Sequence, residues 1–190
     1  MSDLEYLSPV EKYFLLLLAA PGSKPRGHEP VSGGVWLQKE MFFISKNVPE
    51  LEELTGFEDY KFGKYSEVLE DVMEQFITDA YVNLAGNKIE LTKKGNGLAE
   101  HVWSSASKEE RDLVQDIKST LNDMTSEEVL GFAYAAYPEM KRYSEFASKF
   151  EANRVRIAVS LLKKGKVSRE KAAEIAGMPF ERFLSEASKT

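Results

Sequence analysis

The sequence predicts a mainly α-helical protein. Its N-terminal domain is winged-helix-like with a small β-hairpin, its middle is helical, and it closes on a C-terminal helix-turn-helix. Three observations predict this. Apolar residues recur at helical spacing through most of the chain, and several of these stripes open on a Ser or Thr able to cap a helix. Residues 88–92 alternate between charged and apolar, as a half-buried strand does, and follow the turn Ala85-Gly86-Asn87. Near the C-terminus, Gly177 and Pro179 separate two short helical patterns.

Residues 8–20 open the first helix. Ser8 caps it, Pro9 takes the first helical position and Glu11 completes a capping box. Val10, Tyr13, Phe14, Leu17 and Leu18 form its expected core face. Residues 21–34 read as a long polar loop, surface or mobile. A second helix follows over about 35–46, with Trp36, Leu37, Met41, Phe42 and Ile44, and Pro49 is expected to stop it. Residues 57–63 read as an aromatic loop. Ser66 then caps a third helix with Val68, Leu69, Val72, Met73 and Phe76 inward. After the hairpin over 81–92, residues 93–103 are helical. This order of helices and hairpin is that of a winged helix.

Residues 104–107 form a short joint. An amphipathic helix is expected over 108–124, another from Thr125 to about Tyr137, and a third over most of 146–165. In the last segment Ser168 caps a helix whose inner face is Ala172, Ala173, Ile175 and Ala176. Beyond Gly177, residues Phe180, Phe183, Leu184 and Ala187 fall on one stripe. The expected domains are therefore 8–104, winged-helix-like; 108–140, a helical extension; and 150–190, a basic helix-turn-helix.

The chain has 190 residues, 43% of them hydrophobic and 29% charged, enough for a substantial core in a soluble globular protein. It has no cysteine, which excludes disulfides and thiolate metal sites and agrees with a cytoplasmic location. No apolar run is long enough to span a bilayer, and no leader pattern is seen, so no membrane partner is expected. The net charge of −6 is unevenly distributed. Residues 140–190 hold 12 Lys+Arg and 6 Asp+Glu, whereas residues 1–139 hold 13 and 25. A basic tail on an acidic body points to two separate jobs.

Two resemblances bear on these jobs. The segments 36–46 (WLQKEMFFISK), 56–66 (GFEDYKFGKYS), 91–95 (LTKKG) and 125–139 (TSEEVLGFAYAAYPE) resemble the SocA-like antitoxin domain, also called Panacea. Coverage is about residues 8–140. Lys64 stands where that family usually has proline, and residues 21–34 look inserted. The second resemblance covers about residues 152–188. Gly165 to Ser168, the stretch Lys171 to Met178 and Phe183-Leu184 are similar to small antitoxins of the kind encoded beside PIN-domain toxins. Pro179 replaces their usual polar N-cap. The resemblances imply antitoxin or regulator function, with a toxin or other protein as partner.

Catalytic, cofactor and metal sites are not expected, and the chain reads as non-enzymatic. His28 and His101 stand apart, outside any ligand spacing. Gly22 and Gly27 have P-loop spacing, but His28-Glu29 occupy the Lys-Ser/Thr positions. Ser32-Gly33-Gly34 offer amides to an anion, or simply turn the chain. The third helix exposes Glu67, Glu70, Asp71 and Glu74, which repel phosphate, with Lys88, Lys93 and Lys94 as local compensation. The candidate DNA-binding residues lie instead in the tail: Lys163, Lys164, Lys166, Arg169, Lys171, Arg182 and Lys189. Arg182 is the side chain there suited to a bidentate base contact, with Glu181 and Glu186 opposing it. The expectation is a regulator contacting double-stranded DNA through this tail; Trp36, Trp103 and the aromatics of 132–137 are candidates for a homodimer interface or for plain core. The alternative is a protein-interaction adaptor without DNA binding.

Overall fold

The computed structural model describes residues 7–23 and 27–189. The protein is mainly helical, with two small antiparallel hairpins, and divides into two compact units. The first takes in the described residues up to 58 together with 64–123; the second takes in 59–63 and the described residues from 124.

At the centre of the first unit is α1 (Pro9–Ala19). Its capping box forms as expected: the Ser8 hydroxyl accepts from the Glu11 amide, and the Glu11 carboxylate accepts from the Ser8 amide at 2.7 Å. The helix is not amphipathic. Leu15 and Leu16 are as buried as Phe14 and Leu17, because the run from Phe14 to Ala20 offers no polar face to water. Around it lie α2 (Gly34–Ser45), α3 (Pro49–Thr55), α4 (Glu67–Thr78), α5 (Lys93–Ser105) and α6 (Lys108–Leu121). Phe14 and Phe76 meet at 5.4 Å, and Ala99, Val102 and Val114 share the core.

Three expectations for this unit need correction. Pro49 does not simply stop α2; it is the first residue of α3, where its missing N–H is no loss. Residues 57–63 are not a loop, because β1 (Glu58–Tyr60) and β2 (Gly63–Tyr65) pair as a tight hairpin, and the division between the units runs through it. Val68 points outward rather than into the core.

The polar loop over 21–34 is also more ordered than its composition implies. Residues 24–26 lie outside the described residues. Beyond them Val31 is fully buried and exchanges backbone hydrogen bonds of 3.0 and 2.9 Å with Ile89. Ile89 belongs to β4 (Lys88–Leu91), paired antiparallel with β3 (Val82–Ala85). The Asn122 side chain holds the stretch on both sides, accepting from the Ser32 amide and donating to the Pro30 carbonyl, each at 2.9 Å. The Ser32 amide is therefore already used and does not face an anion.

The second unit holds α7 (Ser126–Ala136), a single 3-10 turn (Pro138–Lys141), α8 (Ala147–Lys163), α9 (Arg169–Ala176) and α10 (Phe180–Ala187). Thr125 and Glu128 form a capping box at the start of α7. Gly131 lets α7 and α8 approach closely: a Cβ there would stand 2.8 Å from Ile157 Cγ2 and 3.1 Å from Phe150 Cε2. Tyr134 stacks edge-on against Phe150 at 5.5 Å. The small face of α9, Ala172, Ala173, Ile175 and Ala176, is buried as the sequence predicts. On α10 only Phe183 of the expected stripe is fully enclosed; Phe180, Leu184 and Ala187 are half-buried. No helix among the described residues is long and apolar enough to cross a membrane.

Candidate nucleic-acid interface

The basic tail is organised by α8. Two α9 features are local: the Ser168 hydroxyl accepts from the Lys171 amide at 3.1 Å, and Gly177 ends the helix in the left-handed conformation (φ +68°). A third comes from α8. Arg154 lays its guanidinium under the turn, donating through Nε to the Ile175 carbonyl at 2.6 Å and through Nη2 to the Glu174 carbonyl at 3.1 Å. Both are carbonyls of the last turn of α9, where intrahelical donors run out; the Glu174 carbonyl also accepts from the Gly177 amide at 3.0 Å. Nη1 of Arg154 donates to Glu151 at 2.8 Å. A side chain at residue 177 would collide with that guanidinium, its Cβ falling 2.4 Å from Cζ. The turn between α9 and α10 is thus fixed from beneath.

Six of the seven candidate cations fall into two groups. Lys164 is committed to Glu128 at 2.6 Å, Lys171 to Glu174 at 2.7 Å and Lys189 to Glu186 at 3.0 Å. Lys163 at the end of α8, Arg169 at the start of α9 and Arg182 on α10 are exposed and have no ion-paired or hydrogen-bonded partner among the described residues. Lys166 is half-buried in the connecting loop. Burial would push the Glu128 carboxyl up, but Lys164, the Ser160 hydroxyl and the Thr125 amide together hold it below the usual carboxylate range. Lys164 is for that reason a tether between α7 and the end of α8 before it is a phosphate ligand. Beside the turn, Ala173, Met178, Pro179 and Phe180 line an open groove of 540 Å³ with Glu170 and Glu174 at its edge. Those carboxylates disfavour phosphate within the groove.

The first unit presents the opposite sign. Glu67, Asp71 and Glu74 lie exposed on α4, and Glu70 beside them accepts from the Tyr65 hydroxyl at 2.9 Å. Lys94 is turned to the Asp79 carbonyl (2.8 Å) and the Tyr81 ring (3.9 Å). His28 contacts the Ala19 carbonyl through Nδ1. No group of His, Asp and Glu that could hold a metal occurs among the described residues.

Sequence reasoning missed the ionisable groups inside this unit. Lys118 is fully buried and donates to the carbonyls of Leu17 (2.7 Å) and Ala20 (2.9 Å), with Leu18 at 3.4 Å. It closes the C-terminus of α1 from about a hundred residues away, and burial lowers its pKa to about 8. Lys39 donates to the Lys64 carbonyl at 2.6 Å and is likewise lowered by burial to about 8. Glu40 is completely enclosed, neither of its oxygens has a hydrogen-bond partner among the described residues, and burial pushes it up to about 8. For Lys39 and Glu40, polar residues inside an otherwise apolar α2 pattern were the available signal; Lys118, on α6, had none. Being sealed from solvent, these groups face no substrate.

Comparison with family models, curated proteins and solved structures returned no match to this chain.

Proposed function

We propose that the protein is a non-enzymatic regulator, antitoxin-like or transcriptional, that contacts double-stranded DNA through its C-terminal unit. In this reading α9 and α10 form a helix-turn-helix, with α10 entering the major groove. The observation that carries it is the exposed, unpaired set Lys163, Arg169 and Arg182 around a turn held rigid by Arg154. Arg169 stands at the positive end of α9, where an anion is favoured, so a phosphate would meet both the cation and the helix terminus. Arg182 is the candidate for base contact. Lys164, Lys166, Lys171 and Lys189 add to the local field, three of them after exchanging a carboxylate partner for phosphate.

The first unit is proposed as a winged-helix-like body that binds protein, such as a toxin, rather than DNA. Its order supports the fold reading: α1, α2, α3, the β1–β2 hairpin and α4, then the β3–β4 hairpin, to which Val31 adds a single isolated bridge at Ile89. Its acidic α4 supports the choice of partner, because that helix would meet phosphates with repulsion.

Fluorescence anisotropy of the full chain on mixed-sequence duplex DNA at two salt concentrations tests the reading. Binding should weaken as salt rises. The triple variant Lys163→Ala, Arg169→Ala, Arg182→Ala should bind more weakly and shed about one unit of log–log salt slope per lost phosphate contact. No binding by the parent chain at low salt overturns the DNA reading. It would leave the adaptor reading, which the carboxylate-committed Lys164, Lys171 and Lys189 favour.

A further inference from the structure

Six large apolar side chains are exposed among the described residues, and three of them share one place in the second unit. Tyr60 (50% exposed) and Phe62 (46%) lie at the hairpin tip, and Tyr143 (58%) follows the 3-10 turn. The two segments are joined directly. The Lys61 carbonyl accepts from the Ser144 hydroxyl at 3.0 Å and from the Glu145 amide at 2.9 Å. Gly63 lies close against Tyr134 and Met140, with its Cβ position 3.5 Å from each. The aromatics therefore stand on a braced platform, and little conformational entropy remains to be lost on covering them. Arg142 adds its guanidinium 5.3 Å from the centre of the Tyr143 ring. Tyrosine and arginine in a rigid exposed cluster are the composition of an interaction hot spot, not of an ordinary solvated surface.

The charges around this cluster identify its occupant. Lys61 and Arg142 are exposed, and so are Asp59, Glu139 and Glu145. A surface built for an acidic or a basic partner would carry one sign. This one carries both, interleaved with the aromatics, which is what a two-fold contact requires: each copy offers cations to the other's carboxylates while like rings stack. We infer that the patch formed by Tyr60, Phe62 and Tyr143 with Lys61 and Arg142 is an isologous interface with a second copy of this chain. It lies on the same unit as α9 and α10. In eight residues α10 offers one arginine for base contact, so useful specificity needs two copies reading two half-sites, and a dimer through the patch supplies them. That consequence rests on the DNA reading above; the contact itself does not.

Sedimentation velocity of the full chain, across a wide micromolar range and without DNA, reads the contact directly. A concentration-dependent dimer is expected. The pair F62S/Y143S should weaken it by about tenfold or more. K61E/R142E, which makes the patch wholly acidic, should weaken it too, and adding D59K/E145K to that variant should bring self-association back. These positions are solvent-facing, and an unchanged circular dichroism melt verifies the fold; should the aromatic pair misfold, the charge variants decide alone. A monomer at every concentration overturns the inference, as does a dimer indifferent to all these changes. Failure of the four-residue swap to restore association overturns the self-complementary arrangement. A dimer that binds no DNA leaves the interface standing and removes the DNA reading instead.

Discussion

The two units place their charges differently. The first hides three ionisable groups, Lys39, Glu40 and Lys118, inside a core built round an apolar helix. The second keeps most of its charge at the rim. Glu151 pairs with Lys141 and Arg154, Glu127 with Lys149 and Arg156, and its core is apolar, with aliphatics such as Leu130, Ile157 and Leu161 beside alanines and the aromatics Tyr134, Phe150 and Phe183. Surface pairs of this kind add about 0–1 kcal/mol each and can be exchanged for another anion at little loss. A buried cation holding helix-end carbonyls cannot be exchanged without opening the core. The first unit is therefore built to keep one arrangement, and the second to trade partners at its surface.

The sharpest break of this comparison is Lys118→Met. The side-chain volume is similar, but the Leu17 and Ala20 carbonyls lose their donor. Destabilisation of roughly 3 kcal/mol is expected, read by urea unfolding at neutral pH. Truncating one of the rim cations, Lys149 or Lys141, should change stability far less.

Next in size is the pH response. Glu40 in the folded chain keeps its proton up to about 8, whereas the unfolded chain loses it at an ordinary carboxyl pKa. The folded state thus binds more protons between those values, and stability falls as pH rises through that window. Lys39 and Lys118 act above it: folded, they lose their protons at about 8, before the unfolded chain does, so their penalty is relieved as pH climbs further. Glu110 bounds the acid side. Burial opposes its charge, but hydrogen bonds from Lys12, the Ser107 amide and Tyr13 hold it at about 2, so its contribution is lost as pH falls from the ordinary carboxyl range towards that value. Melting should therefore be highest near pH 5 and lower near pH 8. Glu40→Gln, which stays neutral, should flatten that decline; an unaltered slope would show that Glu40 does not carry it.

In the second unit the corresponding break is steric. Gly131→Val would drive a branched side chain into Ile157 and Phe150, and overpacking of this kind costs about 1–3 kcal/mol. Its effect should not depend on pH between 5 and 8, in contrast to the Glu40 and Lys118 effects.

These differences follow what the sequence makes visible. Helix starts are local events, so Ser8, Ser66, Thr125 and Ser168 cap where the sequence places them. The apolar spacing within α9 was equally legible. Long-range partners were not. Nothing near Lys118 indicates that it will reach the end of α1, and nothing near Val31 indicates a strand partner in Ile89. Val68 departs from the expected stripe because helical spacing fixes a direction only to within one residue, and here α4 turns its acidic face and Val68 outward together. At the candidate interface the cations were legible as residues. Which of them face carboxylates was not, since Glu128 reaches Lys164 from another helix. The hairpin bearing the exposed aromatics looks like loop in the sequence because three-residue strands carry almost no alternation signal.

The smallest expected effect on stability discriminates best on function. Arg169 and Arg182 are exposed and make no ion pair or side-chain hydrogen bond among the described residues, so their removal breaks none. Arg169→Ala even removes a cation from the positive end of α9, which by itself favours the helix. Arg169→Ala/Arg182→Ala should therefore melt within about 0.5 kcal/mol of the parent chain. If these residues serve only solubility, DNA affinity will be as unmoved as stability. If they contact phosphate and base, affinity will fall while stability holds. The Arg182→Ala single variant would then lose discrimination between sequences, and the Arg169→Ala variant would weaken binding to all sequences alike. A large loss of stability in the pair would show instead that the two arginines belong to the packing of the second unit, and the contrast between a fixed body and an exchangeable surface would fail there.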